Sequence, residues 1–206
     1  MLDFMPFDSS SSTAARRADL LVLGALTAVA PLATDMYVPG LPEMRSEFGV
    51  GDGAAQFTLA VFLIGAVLGQ LFFGPLSDRV GRRGLLIGGT VAFAIASVGC
   101  AIAPSVGMFV ALRFLQGVSG SIGIVLARAI TADRFTGAEL VRSFAVLSQI
   151  LGVAPVIAPV IGGAIADAAG WRAVFSALAV VGAVLVVAVA LGVSESLPRE
   201  ARVDGE

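Results

Sequence analysis

Residues 74–83 read Gly-Pro-Leu-Ser-Asp-Arg-Val-Gly-Arg-Arg, a charged decapeptide between two long apolar stretches. Three arginines and an aspartate are costly inside lipid, so a tight glycine-punctuated turn at a membrane face is expected here. Six segments hold enough apolar residues, about 20 each, to cross a hydrocarbon core. They are roughly 19–38, 55–76, 84–103, 106–130, 141–166 and 171–193. The alternating polarity of barrel strands is missing. The joints carry turn residues: Pro39 and Pro42, Asp78 to Arg83, Pro104, Gly137 and Gly170. The fold class expected is an all-α membrane protein of six transmembrane helices.

Composition agrees. The chain is 57% hydrophobic and 14% charged, with mean hydropathy +0.96, whereas soluble domains run near 25% charged. It has no His, Lys or Asn and a single cysteine, Cys100, read as a small packing residue. A His/Cys zinc site and an internal disulfide are therefore excluded. A phosphate loop needs a Gly-Lys pair, so no ATP site, metal or other cofactor is expected, and no nucleic-acid partner. All 13 cations are Arg, which together with the Ala, Gly and Val richness suggests a GC-rich bacterial genome.

Arginine placement predicts the orientation. One set of helix ends carries Arg16, Arg17, Arg79, Arg82, Arg83, Arg128, Arg134, Arg142, Arg199 and Arg202, and the opposite set only Arg45 and Arg172. Such a bias puts the rich side in the cytoplasm, with both termini, and Tyr37 and Trp171 in the outer aromatic belt. A twin-arginine export signal at Arg16-Arg17 is the alternative to an uncleaved first helix. Five further spans and Asp35 at the end of the apolar run favour the helix. Residues 1–17 are expected as a cytoplasmic tail, disordered over the serine-rich stretch 8–13. Residues 18–194 form the bundle, and 195–206 a cytoplasmic tail or the start of a linker.

Two charged residues fall well inside spans, away from the arginine-bearing ends: Asp35 in the first and Arg113 in the fourth. Each costs a few kcal/mol unless paired or hydrated. Counting from the outer ends at about 1.5 Å per residue puts them at similar depth, so they are expected to face each other across a cavity. The functional reading is a protonatable carboxylate tuned by Arg113. The plain reading is a static ion pair, or an aspartate capping the helix end near Pro39. After Arg113 come Gln116, Gly117, Ser119, Gly120 and Gly123, either for close helix packing or for substrate access. Gly117-Val118-Ser119-Gly120 also fits an intramembrane serine protease, a class excluded by the lack of a histidine base. Gly152, Pro155, Pro159, Gly162 and Gly163 mark the fifth span as bent.

Taken together, the motifs closely resemble the N-terminal half of a major facilitator superfamily drug:proton antiporter of the Bcr/CflA multidrug exporter type. Gly74, Leu76, Asp78, Arg79, Gly81, Arg82 and Arg83 match the loop signature of that superfamily, and Arg113, Gln116 and Gly117 its fourth-helix signature. Gly152 to Gly163 resembles the antiporter signature of the fifth helix. Thr34-Asp35-Met36-Tyr37-Val38-Pro39-Gly40-Leu41-Pro42, Gly170-Trp171-Arg172 and Glu195-Ser196-Leu197-Pro198 narrow it to the subgroup. The likeness covers about residues 18–200. Two positions depart from it: Ala158 stands where glycine usually precedes Pro159, and Gly84 where proline usually follows the basic pair.

The resemblance implies a three-plus-three inverted repeat and proton-driven efflux of small amphipathic drugs across the bacterial inner membrane. It implies that Asp35 carries the proton, Arg113 tunes it, and Tyr37, Gln116 and Gly117 line the substrate cavity. Asp78 would meet a helix N-terminus of the C-terminal half, and Arg82 would pair with Asp133. Breaking these contacts would bias the alternating-access equilibrium. Full members have about twelve spans with the site between two halves. Transport is therefore expected to need the missing C-terminal half or a second six-helix half. The expectation is a truncated exporter, with a half-transporter or a membrane scaffold subunit as alternatives.

Overall fold

A computed structural model describes residues 9–198, with side chains from residue 19 onward. Its helices are α1 (Ser9–Asp35), α2 (Leu41–Phe48), α3 (Asp52–Val80), α4 (Arg82–Ile102), α5 (Val106–Arg134), α6 (Gly137–Ala169) and α7 (Trp171–Gly192), with a 3-10 turn, Val38–Gly40, between α1 and α2. Six stretches are long and apolar enough to span a membrane, and the first combines α1 and α2. No strand occurs among the described residues.

Most helices outrun the expected spans. The 29 residues of α3 and of α5 reach about 43 Å, beyond a core of about 30 Å. Their charged ends therefore project past the lipid. The largest correction concerns residues 74–83. Helix α3 runs through Pro75, Asp78 and Arg79 to Val80, and α4 starts at Arg82, so the turn is Gly81 alone. Gly81 makes this reversal at φ 97° and Gly170 makes the next one-residue reversal at φ 81°, a region costly for any residue with a Cβ. A second correction lies at the start: α1 begins at Ser9, inside the stretch expected as a disordered tail. Once a helix is nucleated, extension costs little, and neither Gly nor Pro interrupts residues 9–23. The side chains of Arg16 and Arg17, and all of residues 199–206 with Arg199 and Arg202, lie outside what is described.

The first span breaks at Asp35, and the chain turns through Val38–Gly40 before α2. Helix α6 runs unbroken through Pro155 and Pro159, which leaves the carbonyls of Leu151 and Pro155 without intrahelical donors. It packs on the break of the first span: a Cβ on Gly162 would fall 1.9 Å from the Met36 carbonyl oxygen. Helices α1 and α5 are the most buried spans and α6 and α3 the least. Helix α5 touches α1, α3 and α4, while α4 pairs with α7 and α1 with α6. Exchanging the first three spans with the last three maps α3–α5 onto α6–α1 and α4–α7 onto itself. This is the pairing pattern of an inverted repeat.

Candidate functional site

Arg113, two turns into α5, is fully buried. Nη1 donates to the Ala33 carbonyl at 3.0 Å and to Oε1 of Gln116 at 2.7 Å. Gln116 Nε2 in turn donates to Ser97 Oγ at 2.8 Å, and Ser97 donates to the Phe93 carbonyl. The Ala33 carbonyl belongs to the last turn of α1, where carbonyls lack helical donors and a cation is favoured. The guanidinium carbon lies 4.4, 5.1 and 5.5 Å from the ring centroids of Phe62, Tyr37 and Phe175, within cation–π range. Nε and Nη2 have no hydrogen-bond acceptor among the described residues.

Asp35 is elsewhere. It lines a groove of about 310 Å³ with Pro31, Thr34, Phe62, Gln70, Ile124 and Pro155, drawn from α1, α3, α5 and α6. It is only partly exposed and has no hydrogen-bond or ion-pair partner among the described residues. The static Asp35–Arg113 ion pair of the plain reading is absent among the described residues: Arg113 Nη1 is taken by the Ala33 carbonyl and Gln116, and Asp35 lines the groove instead. Gln70 in the same groove escaped the sequence reading. A glutamine deep in an apolar span was its only signal.

The expected cavity residues are placed differently too. Tyr37 is fully buried among Phe109, Trp171 and Phe175, with centroids 5.1 to 6.4 Å away, and its hydroxyl shares a hydrogen bond with Thr58 at 3.3 Å. Gln116 is fully buried, and a Cβ on Gly117 would lie 2.1 Å from the Phe62 carbonyl oxygen. Helix crossing explains Gly117 better than a cavity wall does. Trp171 is 1% exposed, so neither it nor Tyr37 forms a lipid-facing belt. Helix rotation turned both aromatics inward, where Trp171 Nε1 reaches Glu47 at 2.6 Å.

The loop-signature residues converge at one end of the bundle. Arg82 grips Asp133 with Nε at 2.5 Å and Nη2 at 3.3 Å, and also contacts Asp78 at 3.2 Å and Ser77 Oγ at 3.1 Å. Ser196 Oγ donates to Asp133 at 2.7 Å. Glu195 accepts the backbone N–H of Arg82 at 2.9 Å and of Arg83 at 3.3 Å, and so caps α4. Arg83 donates to the carbonyls of Val193 at 2.8 Å and Ala190 at 2.7 Å, which caps α7. Arg134 pairs with Asp19 and donates to the Ser194 carbonyl. Partial burial works to raise the Glu195 carboxyl, but the backbone N–H groups of Arg82, Leu197, Arg83 and Ser196 prevail and hold it below the ordinary glutamate range. Gly74 has open space around it and Arg79 is exposed, with no partner among the described residues.

On the antiporter helix, Gly162 meets Met36, Gly163 lies near Pro39, Gly152 faces open space, Pro155 lines the Asp35 groove and Pro159 is half-buried. No group of three or more His, Cys, Asp or Glu suited to a metal occurs among the described residues.

A six-span bundle with a buried arginine, a carboxylate groove and inverted pairing has the architecture of half a secondary transporter. The chain belongs to the major facilitator superfamily, whose family model matches residues 23–206. It is 42% identical over 190 residues to a Bacillus subtilis protein called uncharacterized MFS-type transporter YdgK, covering 91% of this chain and 47% of that one. It is 33% identical over 184 residues to the bicyclomycin resistance protein homolog of Haemophilus influenzae, covering 89% and 46%. The solved proton:xylose symporter XylE superposes with TM-score 0.79 at 19% identity, over 89% of this chain and 46% of that one. The chain therefore spans about half the length of the curated relatives it matches. The name of the second relative agrees with the Bcr/CflA resemblance.

Proposed function

We propose that this chain forms one half of a proton-coupled exporter of small amphipathic drugs in a bacterial inner membrane, its Arg82 end and both termini in the cytoplasm. The observation that carries the reading is Asp35. It is an unpartnered carboxylate within a membrane span, in a groove fed by four helices. A carboxylate with no counter-ion locking it is able to exchange a proton through the groove, whose apolar walls are what an amphipathic ligand needs. Relatives named for bicyclomycin, chloramphenicol and multidrug resistance support the substrate class.

A groove is one wall of a site, and a second six-helix half supplies the other. The apolar faces of α3 and α6, the least buried spans, are where that half would seat. Arg82 and Asp133 hold the closed cytoplasmic end, and Asp78 meets a helix N-terminus of the second half. Transport follows from Asp35 releasing its proton on one side and gaining it on the other, as the halves rock about the groove. The test is Asp35→Asn in this chain assembled with a second half. Proton-dependent efflux should vanish while membrane insertion stays intact. Wild-type efflux from that variant would overturn the coupling role.

A further inference from the structure

Phe62 touches both of the places where the fold keeps a charge inside the bundle. Its ring is the nearest of the three around Arg113, at 4.4 Å from the guanidinium carbon. Phe62 also lines the groove that holds Asp35, Thr34 and Gln70. Its backbone is pinned, because α3 and α5 meet main chain to main chain where Gly117 faces the Phe62 carbonyl. The ring therefore leaves its place only by side-chain rotation. Behind it Arg113 keeps two buried N–H groups with no acceptor among the described residues, Nε and Nη2. These are positions that water would take at once if the ring swung away. The partition thus keeps the guanidinium dry as well as separate.

We propose that Phe62 is a positioning residue, an aromatic partition through which occupancy of the Asp35 groove acts on Arg113. A ligand in the groove touches the Phe62 ring and never the guanidinium. Displacing the ring admits water, and with it the carboxylate, to the free edge of Arg113. The proposal rests on the exporter reading for the identity of the ligand. The partition itself is tested without transport.

Cys100 reports on it. This fully buried cysteine, the one cysteine of the chain, lies one turn from Ser97, which anchors Gln116 and so Arg113. The chain in membrane vesicles is treated with a charged, water-soluble methanethiosulfonate and labelling of Cys100 is followed by mass. The wild type should stay unlabelled, and Phe62→Ala should label at least tenfold faster, while Phe62→Tyr behaves like the wild type. Phe135→Ala removes an equally buried ring at the far end of α5 and should not label. The proposal is overturned if Phe62→Ala labels no faster than the wild type, or if Phe135→Ala labels as fast. If Phe62→Ala does not insert, Phe62→Leu decides by the same comparison. In the assembled exporter Phe62→Ala should lower kcat more than it raises KM. Absence of efflux in the wild type would count against the exporter reading alone, since labelling judges the partition separately.

Discussion

Arg83 and Arg172 perform the same task at opposite ends of the antiparallel α4–α7 pair. Each follows a positive-φ glycine by two residues, Gly81 and Gly170. Arg83 donates to Val193 and Ala190 at the end of α7, and Arg172 donates to Ala101 at 2.9 Å and Ala103 at 2.8 Å at the end of α4. The backbone N–H that opens each helix is accepted by a glutamate distant in sequence, Glu195 for Arg82 and Glu43 for Trp171 at 2.9 Å. Each helix thus has a carboxylate at its positive end and an arginine at its negative end, the arrangement the helix dipole favours.

Because the two clamps lie a helix length apart, they should act independently. Arg83→Ala and Arg172→Ala should each destabilise the detergent-solubilised bundle by about 2 kcal/mol, the scale of charged hydrogen bonds. The double variant should lose about the sum. Thermal unfolding measures all three, and a double variant no worse than the singles would contradict separate clamps.

The Arg82–Asp133 pair is nearly buried, with side chains 10% and 19% exposed. Removing one member leaves the other charge short of a partner. The double variant of Asp133→Asn and Arg82→Gln should therefore lose less than the sum of the two single losses, with a coupling above about 1 kcal/mol. Arg82→Lys should not restore the loss, since an ammonium cannot make the two-pronged contact. Additive losses in the cycle would show that the two residues do not act as a pair.

Two glycines of α6 should respond oppositely to a methyl group. Gly162→Ala places a carbon against the Met36 carbonyl and should cost about 1–3 kcal/mol or more by overpacking. Gly152 faces open space, so Gly152→Ala should be neutral or slightly stabilising for this chain. Urea unfolding in detergent separates them, and equal effects would contradict this packing of α6 on the first span.

Glu195 adds an acid-sensitive element to the Arg82 end. Its folded value is lowered, so its contribution is present above the unfolded glutamate value, about 4.3, and is lost as pH falls through the folded one. The wild type should lose melting temperature on acidification below that value, and Glu195→Gln should show a shallower loss. Parallel curves would remove Glu195 from the cap of α4.

The six spans were legible in the sequence because each is a long apolar run and because lipid forbids unpaired backbone groups between them. The Arg82–Asp133 pair was implied by the resemblance to the superfamily's loop signature, and the structure forms it. Glu195 and Glu43 as caps were not legible, since each serves a helix 113 and 128 residues away. The decapeptide at 74–83 does hold a helix reversal, but it was drawn too loosely. Its charges tolerate a helix once that helix projects beyond the lipid, and only Gly81 has to bend.

The sequence by itself determined how many apolar spans there are, roughly where they end and which residues lipid would not accept. These follow from length, polarity and the conformational freedom of glycine, all of which are local. The tertiary structure alone decided the partners. Arg113 and Asp35 are close in expected depth, yet Arg113 turns to the Ala33 carbonyl and Asp35 to an open groove, with Phe62 touching both places. Depth along a helix is set by counting residues. The direction in which a side chain points depends on helix rotation and on how closely glycines such as Gly117 let two backbones approach, and no local pattern contains that.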